Sequence, residues 1–248
     1  MKTFLRTLFF FVIFWLHQLL ILPLLLLYGY QQKRQGEPAL RKRVNGITSS
    51  WGWLTCMLAG AKVERVDLSG VDEEESFLIV SNHQGDFDIP LLLGWLQRPI
   101  AFVAKKELGG IPLVSDWMRL MGCVFLDRED RRKQVKQIRE VCDLLKGGLN
   151  MVIFPEGTRS RSSEMAPFAK GSLQIAQRAG LRILPVTLDR TWSLKPKGSM
   201  GFPGGKVRIV LHPPVDPKAL DEETREHLHD YVQNIIRSGQ SELQEETA

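Results

Sequence analysis

The sequence predicts an α/β domain with a mainly parallel central sheet flanked by helices, preceded by an N-terminal two-helix membrane anchor. Three observations carry this. The stretch from Leu8 to Tyr30 is almost wholly apolar. After Gly60 the texture changes, and short apolar runs alternate with longer amphipathic stretches, the pattern of strands alternating with helices. The chain has 248 residues, of which 44% are hydrophobic; this suffices for one α/β domain plus an extra element, and is too little for a polytopic membrane protein. The segments expected are an anchor over 1–60, the α/β domain over 61–237 and a polar tail over 238–248.

The apolar run is long enough to cross a bilayer core as a helix. His17 and Gln18 interrupt it, Pro23 follows, and basic residues flank both sides (Lys2 and Arg6, then Lys33 and Arg34), which weakens the charge asymmetry that orients a span. A second stretch, Ala39 to Gly60, opens with Arg41, Lys42 and Arg43 and continues into Trp51, Trp53, Leu54, Met57 and Leu58. It reads as an amphipathic interfacial helix with tryptophans at headgroup level. Gly36-Glu37-Pro38 supplies a turn between the two. A pair that dips into one leaflet is favoured over a true span. The run exceeds the usual signal-peptide core of about 7–15 residues, and no small-x-small cleavage site follows closely.

Within the domain, strands are expected at Ser76 to Val80, Ile100 to Ala104, Cys123 to Leu126, Asn150 to Phe154, Ile183 to Leu188 and Lys206 to Leu211. Helices are expected from Asp88 to Leu96, Ser115 to Met121, Asp130 to Lys146, Lys170 to Ala179 and Glu222 to Ile236. Val135, Ile138, Val141, Cys142 and Leu145 recur at helical spacing, and Gly147-Gly148 stops that helix. The sequence after Ser238 reads as a frayed end.

Charge is unevenly spread. Residues 1–60 carry a net charge of +6, 61–220 carry +5 and 221–248 carry −6. A basic start beside apolar sequence suits an anionic membrane surface, and a basic middle suits an anionic substrate. No aromatic–basic repeat supports nucleic acid as partner. Cys56, Cys123 and Cys142 have neither the even number nor the short spacing of a disulfide framework or zinc site, so they read as buried thiols. No metal-ligand spacing is present: His17, His212, His227 and His229 are scattered, the last two on a helix that reads as exposed. No P-loop or Rossmann glycine pattern appears either.

Four predicted strands end in polar or basic residues, and in a parallel sheet these ends share one edge. The first is Asn82-His83-Gln84-Gly85-Asp86-Phe87-Asp88. On a helix of about 3.6 residues per turn His83 and Asp88 would point apart, but Gly85 permits a turn that brings them together. A carboxylate beside an imidazole fixes its tautomer and stabilises the imidazolium, leaving the other ring nitrogen to take a proton from a hydroxyl. Equally, Asp86 or Asp88 suits a cap for the helix at Ile89-Pro90, and His83 a buried hydrogen bond. The second is Phe154-Pro155-Glu156-Gly157-Thr158-Arg159-Ser160, with Arg161 next. This Pro-Gly turn presents hydroxyl and guanidinium donors suited to a phosphate, or is a solvated surface turn. The third, Gly122 to Arg128, ends in Asp127-Arg128, a basic end or a local ion pair. The fourth is Lys105-Lys106-Glu107, a basic strand end or a solvated face.

Together these residues resemble the glycerophospholipid acyltransferase family, specifically the bacterial 1-acylglycerol-3-phosphate acyltransferases. Asn82, His83 and Asp88 match its N-H-x4-D motif, and Gly122, Phe125 and Arg128 match a G-x-x-F-x-x-R segment. Phe154 to Ser160 match F-P-E-G-T-R-S in full, and Ile183-Leu184-Pro185-Val186 loosely match an apolar strand bearing a proline. The likeness covers roughly residues 60–215. Gly85 stands where a serine is common, which removes any acceptor contact that hydroxyl would make. The resemblance implies acyl transfer from acyl-CoA or acyl carrier protein to the sn-2 hydroxyl of lysophosphatidic acid, with no covalent enzyme intermediate, metal or bound cofactor. It implies His83 as general base oriented by Asp88. Arg159, Arg128 and Lys105 would hold the phosphate, with Glu156, Gly157 and Thr158 shaping that loop. It also implies a place at the cell inner membrane among membrane lipids, with the domain on the cytoplasmic side. The rivals are transfer to another lysophospholipid or to glycerol-3-phosphate, a lipid hydrolase using the same pair on water, and a non-catalytic lipid-binding protein. No Gly-x-Ser-x-Gly elbow supports a serine hydrolase.

Overall fold

Three runs of the chain are buried at every position: Leu78–Ser81, Asn150–Ile153 and Ile183–Asp189. Strands covered on both faces belong in the middle of a sheet flanked by helices. The computed structural model, which describes residues 2–35, 38–72 and 75–245, places them there. The strands are β1 (Ala61–Asp67), β2 (Leu78–Ser81), β3 (Ile100–Lys105), β4 (Val124–Leu126), β5 (Asn150–Ile153), β6 (Ile183–Asp189) and β7 (Gly205–Leu211). They form one sheet in the order β1-β7-β6-β2-β5-β3-β4. All neighbours are parallel except β6 and β7. The mainly parallel α/β class read from sequence is therefore the class observed, and β2, β3, β4, β5 and β6 end on one edge.

The helices are α1 (Lys2–Gln35), α2 (Pro38–Leu58), α3 (Asp88–Trp95), α4 (Val114–Met121), α5 (Arg131–Lys146), α6 (Gln174–Ala179), α7 (Glu222–Glu226) and α8 (Leu228–Glu245). Asp130 caps α5, accepting from the Arg132 and Lys133 amides, which satisfies two of the donors a helix start leaves free. Buried Asn150 ties three strands together. Its Oδ1 accepts from Phe77 N at 3.0 Å and its Nδ2 donates to Pro99 O at 3.0 Å.

Several boundaries differ from the sequence reading. β1 was not anticipated: Lys62, Glu64 and Arg65 break its apolar pattern, which an edge strand tolerates. α6 begins only at Gln174, because Gly171 takes a left-handed φ of 82° that no helix contains. The last helix is divided at His227, and α8 runs past Ser238, where the polar tail was expected. Gly239 explains the continuation, since a Cβ there would meet Thr187 Oγ1 at 2.6 Å, so the helix is pressed against β6. His229 is buried, not exposed. The turn expected at Gly36-Glu37-Pro38 falls largely outside the described residues, which exclude Gly36 and Glu37.

α1 is, among the described residues, the one helix long and apolar enough to cross a membrane, over Thr3–Gln32. One of its faces packs on the protein through Phe10 and Leu25, while Phe4, Leu8, Trp15, Leu19 and Leu20 point outward. Its first turns are bound to the loop before β7: Thr7 Oγ1 accepts from Phe202 N at 3.1 Å, and the Phe10 and Phe202 rings lie 4.1 Å apart. α2 is not apolar enough to join it as a span. Trp53 is exposed, but Trp51 turns inward against Phe14 instead of toward a headgroup layer.

α2 crosses α3 at two glycines. A Cβ on Gly52 would strike the Pro90 carbonyl and lie 2.9 Å from Gly94 N, and a Cβ on Gly94 would lie 2.9 Å from Trp53 N. Backbone meets backbone here, so no side chain can yield. Gly52→Ala should destabilise the protein by about 1–3 kcal/mol through overpacking. Gly46→Ala, on the same helix with nothing within 4 Å of its Cβ, should be neutral or stabilising by about 0.5–1 kcal/mol. Thermal unfolding of the two variants side by side checks this, and equal melting temperatures would contradict the tight crossing.

Candidate active site

β2 runs into the Asn82–Asp88 loop, and both ends of that loop are fixed to the strand beside it. Asn82 acts as a side-chain rung: its Nδ2 donates to Leu188 O and its Oδ1 accepts from Leu188 N, each at 2.8 Å. At the far end Asp88 enters α3 fully buried. The helix cap is Phe87, without a side-chain bond, so neither Asp86 nor Asp88 serves as a cap. His83 Nδ1 lies 2.6 Å from Asp88 Oδ2, which also accepts from Gly85 N at 2.8 Å. Asp88 Oδ1 accepts from the Thr191 hydroxyl. The imidazole stacks on Phe154, with ring centres 4.1 Å apart and 17° between planes. A donor bond at Nδ1 leaves Nε2 as the ring nitrogen outside the pair.

Gly85 sits in a tight space. A Cβ there would meet Trp192 Cα at 3.0 Å and Trp192 N at 3.2 Å.

The loop after β5 closes the other side. Glu156 Oε1 accepts from His83 N at 2.7 Å and Oε2 from Ala166 N at 3.0 Å, while Ser160 N donates to His83 O at 2.8 Å. Burial pushes the Glu156 carboxyl up. The His83 and Ala166 amides and the charge of His83 oppose the rise, and the Asp88 charge adds to it. Cys56 of α2 also feels this centre, its thiol raised first by burial and then by the Asp88 charge. All three cysteines are free and buried.

A cationic cluster lies beside the pair. Asp86 is 2.9 Å from Arg159 Nη1, 3.5 Å from Arg161 Nη2 and 3.2 Å from Lys195 Nζ. Burial alone would raise the Asp86 carboxyl. The Lys195 hydrogen bond and the charges of Arg159, Lys195 and Arg161 outweigh it and hold the group below the ordinary carboxylate range. Three cations against one carboxylate leave an excess of two positive charges on an accessible surface.

The sequence-selected residues are thus distributed unevenly. His83, Asp88 and Glu156 meet directly. Arg159 joins them through Asp86, with the exposed Thr158 beside it in the same loop. Arg128 reaches the Gly157 turn, where a Cβ would lie 3.0 Å from its Nη1. Lys105 is exposed at the end of β3, and its neighbour Lys106 is drawn away to Asp127 and Glu129. Asp127 pairs with Lys106 and Lys133, not with Arg128. Sequence reasoning missed Thr191 and Lys195, which follow β6 in a short 3-10 turn and its exit. It named Arg161 only as the residue following the loop, and it missed the role of Asp86 as counter-ion. The one available signal was the spacing of Arg159 and Arg161, two positions apart.

Comparison with known proteins bears on the chain as a whole. The family model described as Acyltransferase matches residues 62–189, just over half of the chain. A chloroplastic 1-acyl-sn-glycerol-3-phosphate acyltransferase of Arabidopsis thaliana is 31% identical over 81% of this chain and 56% of its own length. With the Brassica napus and Chlamydomonas reinhardtii relatives, matched over 45% and 43% of theirs, this means the chain spans about half the length of these curated relatives. The 1-acyl-sn-glycerol-3-phosphate acyltransferase of Borreliella burgdorferi is 30% identical over 74% of this chain and 73% of its own. The crystal structure of the 1-acyl-sn-glycerophosphate (LPA) acyltransferase PlsC from Thermotoga maritima superposes with a TM-score of 0.80 at 33% identity, covering 98% of this chain and 96% of that one. A model matched across β1 to β6, and a solved relative that follows the chain almost end to end, settle its kinship: the chain belongs to the acyltransferase family.

Proposed function

We propose that the protein transfers a fatty acyl group from an acyl thioester, acyl-CoA or acyl carrier protein, to the sn-2 hydroxyl of 1-acylglycerol-3-phosphate, giving phosphatidic acid. The observation that carries this is the His83–Asp88 pair at 2.6 Å beside a cluster with two positive charges in excess. A proton acceptor and a site for a phosphate monoester dianion then lie together. Asp88 holds the Nδ1–H tautomer, so Nε2 removes the proton of the acceptor hydroxyl. The alkoxide oxygen attacks the thioester carbonyl, the C–S bond breaks as the tetrahedral intermediate collapses, and the imidazolium returns its proton to the thiolate. The transfer balances with these residues and two substrates, without a metal or bound organic cofactor.

Arg159, Arg161 and Lys195 are the cations that would hold the phosphate, with Arg128 approaching from the Gly157 turn and Lys105 at the neighbouring strand end. Glu156, Gly157 and Thr158 shape that loop. The apolar outer face of α1, continued by Trp53, would lie in one leaflet of the inner membrane, with the domain on the cytoplasmic side. The inward anchoring of Phe10 and Leu25 supports a helix lying along the domain.

His83→Ala should lower kcat about 10²–10⁴-fold, the usual range for a lost acid–base group, while the protein still folds. Thiol release from acyl-CoA should depend on added lysophosphatidic acid; release without any acceptor would favour hydrolysis. Arg159→Ala should raise the acceptor KM roughly 10–100-fold, the loss of one charged hydrogen bond. An unchanged KM would remove it from the phosphate site. Asp86 gives a pH signature. Its folded-state value lies below the ordinary one, so the stability it adds is present above about pH 4 and is lost as pH falls through the depressed value. Asp86→Asn should therefore melt below wild type at pH 7, and the gap should narrow as pH falls below about 4. A gap constant over that range would show that the pairing contributes nothing.

A further inference from the structure

We propose that Thr191 is a positioning residue for acyl transfer: its hydroxyl fixes the Asp88 carboxylate that orients His83. This rests on the proposed roles of those two residues. Asp88 is fully buried and accepts three hydrogen bonds. Two of them, from His83 Nδ1 and Gly85 N, fall on Oδ2, and both donors lie in the loop that Asp88 itself closes. The third falls on Oδ1 and comes from Thr191, 103 positions away. A carboxylate held on one oxygen alone still turns about its own side-chain torsion. Held on both oxygens, it is locked, and the imidazole plane is locked with it.

The backbone around Thr191 is shaped to deliver that hydroxyl. Arg190 sits at φ 60° and ψ 12°, a left-handed conformation uncommon for a residue with a Cβ. It turns the chain sharply out of β6 and points Thr191 back under the loop. Thr191 N donates to Gln84 Oε1 at 3.2 Å. Thr191 Oγ1 also lies 3.3 Å from that same oxygen, but the hydroxyl has one proton and the Asp88 contact is the closer. Threonine suits the place: its methyl fills a site with no solvent exposure, and its hydroxyl supplies the donor.

The charge argument gives a readout that packing does not. A donor on Oδ1 draws negative charge from the carboxylate. Without it, Asp88 holds the imidazolium more strongly, and the acid limb of the kcat–pH profile moves to higher pH. Glu156 and Cys56 are ionisable groups that also feel the Asp88 charge, and all three variants retain them.

The test compares Thr191→Val, Thr191→Ser and wild type in the full chain, with lysophosphatidic acid and acyl-CoA in detergent or vesicles. Thr191→Val should lower kcat at least tenfold with acceptor KM within a factor of two, and should shift the acid limb upward. Thr191→Ser should restore both. Wild-type kcat and an unmoved limb in Thr191→Val would overturn the proposal, as would a Thr191→Ser no better than Thr191→Val. If the valine variant fails to fold, Thr191→Ala replaces it in the same comparison. Absence of acceptor-dependent transfer in wild type would instead overturn the proposed function, so the two failures are separable.

Discussion

A carboxylate with no solvent exposure sits at the centre of this structure, and its burial constrains everything around it. Ionised and unpaired, such a group would be strongly destabilising. Asp88 is tolerated because an imidazole, a backbone amide and a hydroxyl converge on it. Each donor imposes a condition on the chain. The imidazole demands the tight loop after β2. The amide comes from Gly85, where a Cβ would lie 3.0 Å from Trp192 Cα, close enough to favour glycine. The hydroxyl demands that β6 lie next to β2 and run past its end, which the pairing of Ser81 with Val186 and the continuation of β6 to Asp189 provide. Sheet order, loop length and residue choice follow from one charge.

The anchor is fused to this arrangement. α2 meets α3 through bare backbone at Gly52 and Gly94, and α3 begins at Asp88. Phe10 of α1 reaches an aromatic group with Phe202 and Phe87, the residue immediately before Asp88. The helices expected as an anchor therefore also form part of the wall behind the His83–Asp88 loop.

What was legible in the sequence was local. His83 and Asp88 share one short loop, and the loop after β5 carries its glycine, hydroxyl and guanidinium groups in consecutive positions. The interior strands announced themselves because burial on both faces leaves no polar alternation to confuse the pattern. Three kinds of feature were hidden. The edge strand β1 carries charges at the positions that would mark it as a strand. Thr191 and Lys195 gain their meaning only from the side-by-side placement of β6 and β2, a contact about a hundred residues long in sequence. The inward turn of Trp51 depends on Phe14, in another helix.

The reversed pair at the sheet edge has a geographical consequence. β7 runs against β6, and β1 follows β7, with Asp189 level with Arg208 and Arg208 level with Glu64. β1 therefore starts at the edge where β2, β5 and β6 finish, and α2 must end there too. The first turn of α1 is held at the same place by the loop before β7. With the start of the greasy helix and the His83–Asp88 loop on one rim, the proposed function would let a single-tailed lipid slide sideways from a leaflet to the histidine with its hydrocarbon never leaving oil. Only the headgroup and the thioester would need to meet from the water side, and the protein would work as a bench at the shoreline.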